Sequence, residues 1–399
     1  MMASENIFAI PEGKNLHVVS FFAFLVAVDI FFRCMPFYVW SVTGTVSSVC
    51  AILLPLLALP FLQKINTKNG PYILVFATSL FISALAVISA PLSFINRILL
   101  LFIPLMQPYF LKKAFEAFKT IFCVFLILGL IEYVLVLTNV VSPTGIIPPL
   151  NDLKLCNYYT YHFVVKSTDL FDAIIPRFYG VFDEPGVIGT ICALLLYCSG
   201  GKLKSWKDYV LILAGFASFS MFFFILIVFL PFLHSSTKKR ILAIIIITFV
   251  FVLITRVPFL YDIIGYRFLF DSSSGTFAGD TRYNENTQGI IFSDIFSHDF
   301  WWGHGRDAVE QFEGQSSALI YGYSVGFAFV ILNVTAYIIM GLKLIFPINK
   351  VSFLIFCIIV MGTFYQRPGF INPEYIFLMT MLSYGMAFME QKNEPEETV

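Results

Sequence analysis

The chain has 399 residues, 58% hydrophobic and only 13% charged, with zero formal net charge and a mean hydropathy of +0.84. A soluble domain is nearer half apolar and a quarter charged, so this is the composition of an integral membrane protein. The neutral balance gives no electrostatic basis for a nucleic-acid partner. The seven Cys show no CxxC or Cys/His spacing, so neither a zinc site nor a disulfide framework is indicated.

The polar start, Met1 to Leu16, lacks a basic n-region followed by a short apolar core and a small-residue cleavage site, so the first apolar run is expected to remain in the mature protein. A span needs roughly 20 mainly apolar residues. Candidate runs in chain order are Leu16–Phe32, Val42–Leu62, Tyr72–Ala90, Ile98–Leu111, Ile121–Val141 and Gly186–Cys198. They continue with Tyr209–Leu233, Leu242–Ile254, Ala318–Ile345, Val351–Phe364 and Tyr375–Met389.

Lys and Arg in short loops set orientation. Basic clusters at Lys64/Lys68, Lys112/Lys113/Lys119, Lys202/Lys204/Lys207, Lys238/Lys239/Arg240 and Lys343/Lys350 are all placed on the cytoplasmic side. The run Tyr209–Leu233 lies between two such clusters and must cross an even number of times. Its 25 residues are too few for two full spans. A hairpin of short or tilted helices, broken near Gly215, Ser218 and Ser220, meets both demands. The expectation is an all-α membrane domain of about twelve segments with both termini cytoplasmic. Two long loops, 142–185 and 256–317, and the link Tyr365–Pro373 then lie outside, while Gln391–Val399 reads as a solvated acidic end.

The first loop ends in Arg177-Phe-Tyr-Gly-Val-Phe-Asp-Glu-Pro-Gly-Val-Ile-Gly189. Pro185 suits the first turn of a helix, and Asp183 and Glu184 suit its positive end. An N-terminal cap with an interfacial Arg explains these residues without function. The second loop carries Asp280-Thr-Arg-Tyr283 and Ser297-His-Asp-Phe-Trp-Trp-Gly-His-Gly-Arg306. Trp301 and Trp302 fit a membrane interface and equally a sugar ring, since an indole has an apolar face and a polar edge. The loop is otherwise acidic, so Arg267, Arg282 and Arg306 have many ion-pair partners at hand. A third arginine stretch, Gln366-Arg367-Pro-Gly-Phe-Ile-Asn-Pro-Glu374, falls on the same expected face. Guanidinium forks match phosphate oxygens and keep their charge, so arginines converging there would suit a diphosphate. Within the spans, Asp29 and Arg33 are spaced to pair with each other, and Glu132 is an intramembrane carboxylate open to a functional or a hydrogen-bonding role.

These residues resemble the O-antigen polymerase family (Wzy-type), related to the O-antigen ligases. The resemblance covers about the C-terminal half, from Arg177 to the last span. It rests on Arg177-x-x-Gly180, on Phe182-Asp-Glu-Pro-Gly186 at a span start, on the Ser218/Ser220 break and on Arg282 followed by Gly303-x-Gly305. Tyr323-Ser-Val-Gly326 in the next span completes it. Relatives, the ligases especially, carry a His before that span. Here the stretch is Glu313-Gly-Gln-Ser-Ser317, and the nearest histidines are His298 and His304, which tilts the reading toward polymerase.

The resemblance implies a GT-C-like glycosyltransferase of the bacterial inner membrane with its active site on the periplasmic face. It would transfer a growing glycan from undecaprenyl diphosphate onto a new undecaprenyl-diphosphate-linked oligosaccharide, with no cofactor and no metal. Membrane lipid and a chain-length regulator protein are the other expected partners; an O-antigen ligase or a lipid-oligosaccharide flippase is the alternative. Arg177 and Arg282 are expected to stabilise the leaving diphosphate, with Glu184, His298 or His304 deprotonating the acceptor. Arg367, Arg306, Tyr283, Trp301 and Trp302 would bind substrate. On this reading Arg282→Ala leaves the protein inserted but abolishes long surface chains; normal chain-length ladders on a polysaccharide gel would remove Arg282 from the site.

Overall fold

In the computed structural model the described residues are 15–63, 70, 73–75, 77, 99–150, 156–168, 176–201, 203–233, 237–258, 261, 265, 269–271, 276–277, 285–305, 308, 312, 318–367 and 372–391. Helices dominate them. Three are long and apolar enough to cross a membrane: α1 (Leu16–Arg33), α3 (Pro108–Leu137) and Phe327–Leu344. The expected runs at 64–98 fall largely outside the described residues.

Helix α1 is started by Asn15, whose side chain accepts from the His17 and Val18 amides at 2.9 and 3.4 Å. Near its end Arg33 Nε donates to Asp29 Oδ2 at 2.8 Å, the expected pairing. A 3-10 stretch, Phe37–Val42, leads into α2 (Thr43–Ala58). Pro108 opens α3, where its missing N–H is no loss. The loop expected between spans at Lys112–Lys119 is not formed. Residues 108–137 form one 30-residue helix, so Lys112, Lys113 and Lys119 ride on its first turns and do not form a loop between two spans. Helix propensity through Lys-Lys-Ala-Phe-Glu-Ala-Phe-Lys is high, and hydropathy alone cannot see continuity across a charged stretch.

The first long loop is partly sheet. Strands β1 (Gly145–Ile147), β2 (Tyr158–Thr160) and β3 (Val165–Ser167) are antiparallel in that order, with Ile146 opposite Tyr159 and Tyr159 opposite Lys166. Glu132, near the end of α3, accepts from the His162 and Phe163 amides in the β2–β3 turn and contacts His162 Nδ1 at 3.0 Å. The Glu132 carboxylate thus ties α3 to this sheet. Tyr158 donates to the Asp183 carbonyl at 2.7 Å, and the Val165 amide to the Gly180 carbonyl at 2.8 Å, which fixes the approach to the next helix.

That helix, α4 (Pro185–Cys198), is the centre of the bundle; every residue from Ile188 to Cys198 is buried. Helix α5 (Trp206–Ala217) and helix α6 (Met221–Phe229) pack on it as the expected hairpin. The register shows the reversal. Asp208, in the first turn of α5, lies by the far end of α4, and the Ala217 carbonyl at its last turn accepts from the Phe178 amide at 2.9 Å. Beyond the turn, Ser220 abuts Gly189, Tyr197 donates to the Leu226 carbonyl at 2.7 Å, and Leu230 meets Gly201. Helix α6 therefore runs back alongside α4. At the tip Phe219 adopts φ +48° and Ser218 Oγ donates to the Gly215 carbonyl at 2.7 Å. Glycine 189 lets the tip approach, since a Cβ there would overlap Ser220.

The rest comprises α7 (Thr237–Arg256), β4 (Phe270–Asp271) paired with β5 (Thr276–Phe277), α8 (Glu285–Ser293) and α9 (His298–Trp302). Four helices follow: α10 (Ala318–Val325), α11 (Phe327–Leu344), α12 (Lys350–Gln366) and α13 (Pro373–Gln391). The expected single run Ala318–Ile345 is broken at Gly326, whose φ of +97° ends α10. A side chain at either Gly303 or Gly326 would strike the backbone of the other's segment, so the two glycines let the second loop lie directly on this break. Helix α13 packs against α4, and Gly385 sits flush against the Cys198 backbone.

Opposite the long-loop end, Lys119 Nζ donates to Asp208 Oδ1 at 2.6 Å and Ser199 Oγ at 2.7 Å. Asp208 Oδ2 accepts the Lys204 and Ser205 amides at 3.0 and 2.8 Å, a box closing the start of α5. Both side chains are at least 95% buried. Removing one partner of such a pair strands a charge, at about 3–5 kcal/mol. Lys119→Met is expected to lower the unfolding temperature in detergent markedly, and the double change Lys119→Met with Asp208→Leu to regain most of it. Equal melting of the Lys119→Met variant and the native protein would show that the pair carries no such weight.

Candidate functional site

Two proline-led helix starts face each other at the long-loop end. Glu184 immediately precedes α4, and Glu374 is the second residue of α13. Glu184 caps α4 through its backbone, with no side-chain capping bond; its carboxylate instead reaches across to Arg367, where Oε2 pairs with Nη1. Arg367 directly follows the last residue of α12. The guanidinium lies over the first turn of α4, and only a glycine at 186 leaves room: a methyl group there would stand 2.5 Å from Arg367 Nη2. Burial works against the charge on Arg367, but Glu184 and Tyr375 outweigh it and hold the guanidinium above its ordinary pKa.

Beside this pair lies a second one. Asp29 and Arg33 of α1 are both buried, and the charge of Arg33 acts on Glu374. Tyr375 feels Arg367, Glu374, Cys34 and Glu184 together, so four helix ends contribute to one polar cluster. Among the described residues, four of its atoms are buried without a hydrogen-bond partner: Asp29 Oδ1, Arg33 Nη2, Arg367 Nε and Glu374 Oε2. Buried polar atoms are normally satisfied, so this gathering of orphans at one helix junction sets it apart from the apolar packing around it.

The sequence-predicted residues divide three ways. Glu184 and Arg367 come together as a pair, although sequence reading gave them separate tasks. Arg177 lies on the segment before α4, its guanidinium 3.2 Å from the Tyr179 hydroxyl and over that ring. The second-loop residues gather elsewhere, against α10 and α11. Trp301 donates to the Ile295 carbonyl at 3.0 Å, Trp302 packs edge-on to Phe329, and His298 is exposed beside Asp299. His304 stacks on Tyr323, with Nε2 2.6 Å from Asp294 Oδ2 and Nδ1 3.2 Å from the Tyr323 carbonyl. With both ring nitrogens engaged, it serves as a clasp between loop and helix. Arg282, Tyr283 and Arg306 lie outside the described residues.

Glu374 was missed by sequence reasoning as a site residue. The available signal was the repeated pattern of an acidic residue flanking the proline of a helix start on one face, Glu184-Pro185 and Pro373-Glu374. Among the described residues no group of three or more His, Cys, Asp or Glu side chains is arranged to hold a metal ion.

If Glu184 and Arg367 hold each other, their effects on stability are coupled. A double-mutant cycle of Glu184→Gln and Arg367→Met, read by thermal unfolding in detergent, is expected to give a coupling on the order of 1 kcal/mol. Strict additivity would mean that the pair is incidental.

No family model, curated protein or solved structure matches this chain.

Proposed function

We propose that this membrane protein is a polysaccharide repeat-unit polymerase, transferring a growing glycan from a polyprenyl-diphosphate carrier onto a new lipid-linked repeat. The reading starts from the resemblance set out above, and the observation that carries it further is the Arg367 guanidinium lying over the first turn of α4. A helix N-terminus and an arginine together form an anion site, and this one lies at the end of α4 that the first long loop leads into. Glu184 holds the Nη1 edge of the guanidinium, while Arg367 Nε is buried with no hydrogen-bond partner among the described residues. A diphosphate takes that remaining donor, and Glu184 keeps its hold on Nη1.

Departure of the lipid diphosphate builds negative charge on its bridging oxygen, and donors fixed at that position lower the barrier. The anomeric carbon passes from the diphosphate oxygen to an acceptor sugar hydroxyl; Arg177, held over Tyr179 on the segment that leads into α4, is a second guanidinium for the leaving group, while Trp301 and Trp302 sit apart against α10 and α11. No nucleotide sugar or metal enters this scheme.

A lipid-oligosaccharide flippase is the second reading, and the helix breaks at Ser218–Ser220 and Gly326 are the features that favour it. Transporters place such breaks near the midplane, whereas the tip of the α5–α6 hairpin lies against the Phe178 segment at the loop end.

Two measurements decide among these. Purified protein given the lipid-diphosphate-linked repeat that accumulates in cells lacking this chain is expected to produce a ladder of longer lipid-linked glycans. Arg367→Ala is expected to lower that rate by about 10²–10³. A wild-type protein that leaves the repeat unextended would overturn the polymerase. In deletion strains, loss of a polymerase leaves single-repeat product on the core, loss of a ligase leaves none there, and loss of a flippase strands repeats inside.

A further inference from the structure

We infer that Glu374 is the general base that takes the proton from the acceptor hydroxyl, a role the sequence assigned to Glu184, His298 or His304. The inference rests on the glycosyl-transfer reading above and names a further catalytic residue for it. Its grounds are charge and geometry at the junction of α1, α4, α12 and α13.

Among the described residues, the carboxylates of Asp29, Glu184 and Glu374 meet two guanidiniums in this cluster, and Asp183 adds its charge to the field at Arg367. Asp29 is taken by Arg33, and Glu184 by Arg367. Of the first three, Glu374 has no ion-pair partner among the described residues; its side chain takes a hydrogen bond from Asn372, but its Oε2 is buried with no partner there. Arg33 and Cys34 at the end of α1 and Asn372 and Tyr375 on its own segment interact with Glu374; Asp29 lies behind Arg33, and Glu184 before α4 and Arg367 after α12 reach Tyr375, with Asp183 acting on Arg367. A carboxylate matched one-to-one with a guanidinium is a poor base, because protonation breaks the pair. A carboxylate in a low-dielectric site without its own counter-charge gains by accepting a proton. Glu374 has that character, while its place in the first turn of α13 and the charge of Arg33 keep the anion accessible. Glu184 lacks it for as long as Arg367 holds it.

In the reaction, Glu374 Oε2 accepts the proton of the acceptor hydroxyl. The acceptor oxygen forms the new bond to the donor's anomeric carbon. The bond from that carbon to the diphosphate oxygen breaks, and its electron pair leaves with the diphosphate toward Arg367. The proton on Glu374 is then lost to solvent, and the carboxylate is restored. Arg367 is thereby assigned to the leaving group and Glu374 to the attacking group, on adjoining helix starts.

The test uses the full chain in detergent or nanodiscs with the lipid-diphosphate-linked repeat from cells lacking this chain. Wild-type ladder formation establishes the underlying reaction first; its absence sinks the glycosyl-transfer reading and Glu374's role with it. Given that activity, Glu374→Gln, close to native in size, is expected to reduce kcat by about 10²–10⁴ with KM for the repeat nearly unchanged. The wild-type rate rises with pH through an acidic limb as the base loses its proton, and this limb is expected to vanish in the Gln variant. Glu374→Asp, which keeps a carboxylate one methylene shorter, is expected to recover part of kcat and to restore the limb. A Glu374→Gln enzyme with native kcat, or one that is slow but keeps the acidic limb, would return the base to another residue. Equal loss in the Gln and Asp variants with unchanged pH profiles would reduce Glu374 to a structural part.

Discussion

The ion pair between Glu184 and Arg367 joins the start of the central helix to the end of another, and much of the loop end is organised around it. Its existence depends on Gly186, which lets a planar guanidinium rest on the first turn of α4. Beside it, Asp29–Arg33 and Glu374 bring charge from α1 and α13 into the same desolvated volume. Isolated charges in such surroundings are costly, so the helices that carry them are held to a narrow set of relative positions. The same logic operates at the other end, where Lys119 of α3 reaches Asp208 of α5 and Ser199 beyond α4. Helix α4 is therefore gripped at both ends by buried polar contacts.

Between those ends the packing is apolar and close. Lipid supplies little hydrophobic drive between helices, so association relies on surfaces that fit. Gly189 against the hairpin tip, Gly215 against the Phe223 ring and Gly385 against the Cys198 backbone bring α5, α6 and α13 onto α4. Phenylalanine fills what remains: Phe31 stacks on Phe125 at 4.6 Å between centroids, and Phe61 on Phe110 at 4.1 Å. Positioning at the loop end rests on this scaffold, since a change of helix register at Gly189 or Gly385 would move Glu184 relative to Glu374.

The polar residues that looked alike in one dimension have separated into different tasks. Glu132 proved to be a hydrogen-bond acceptor for the amides of the β2–β3 turn, so this carboxylate ties α3 to a sheet. His304 closes the second loop onto α10 through Asp294 and Tyr323. Glu184 and Arg367 converge, and Glu374 joins them although only its proline-led helix start drew attention to that stretch. None of these distinctions follows from residue type, because each depends on which distant segment lies opposite.

What the sequence by itself determined was set by local and compositional physics. Apolar run length required membrane helices, proline and small polar residues placed helix starts and breaks, and the parity of basic clusters required a hairpin between Tyr209 and Leu233. The i, i+4 spacing paired Asp29 with Arg33. Tertiary structure alone decided that Lys112 to Lys119 continue a helix, that the first loop is partly sheet, and that Arg367 meets Glu184 while Glu374 stands beside them with no ion-pair partner among the described residues. Those outcomes turn on contacts between residues far apart in the chain, where burial and close approach set the energy and no local pattern records it.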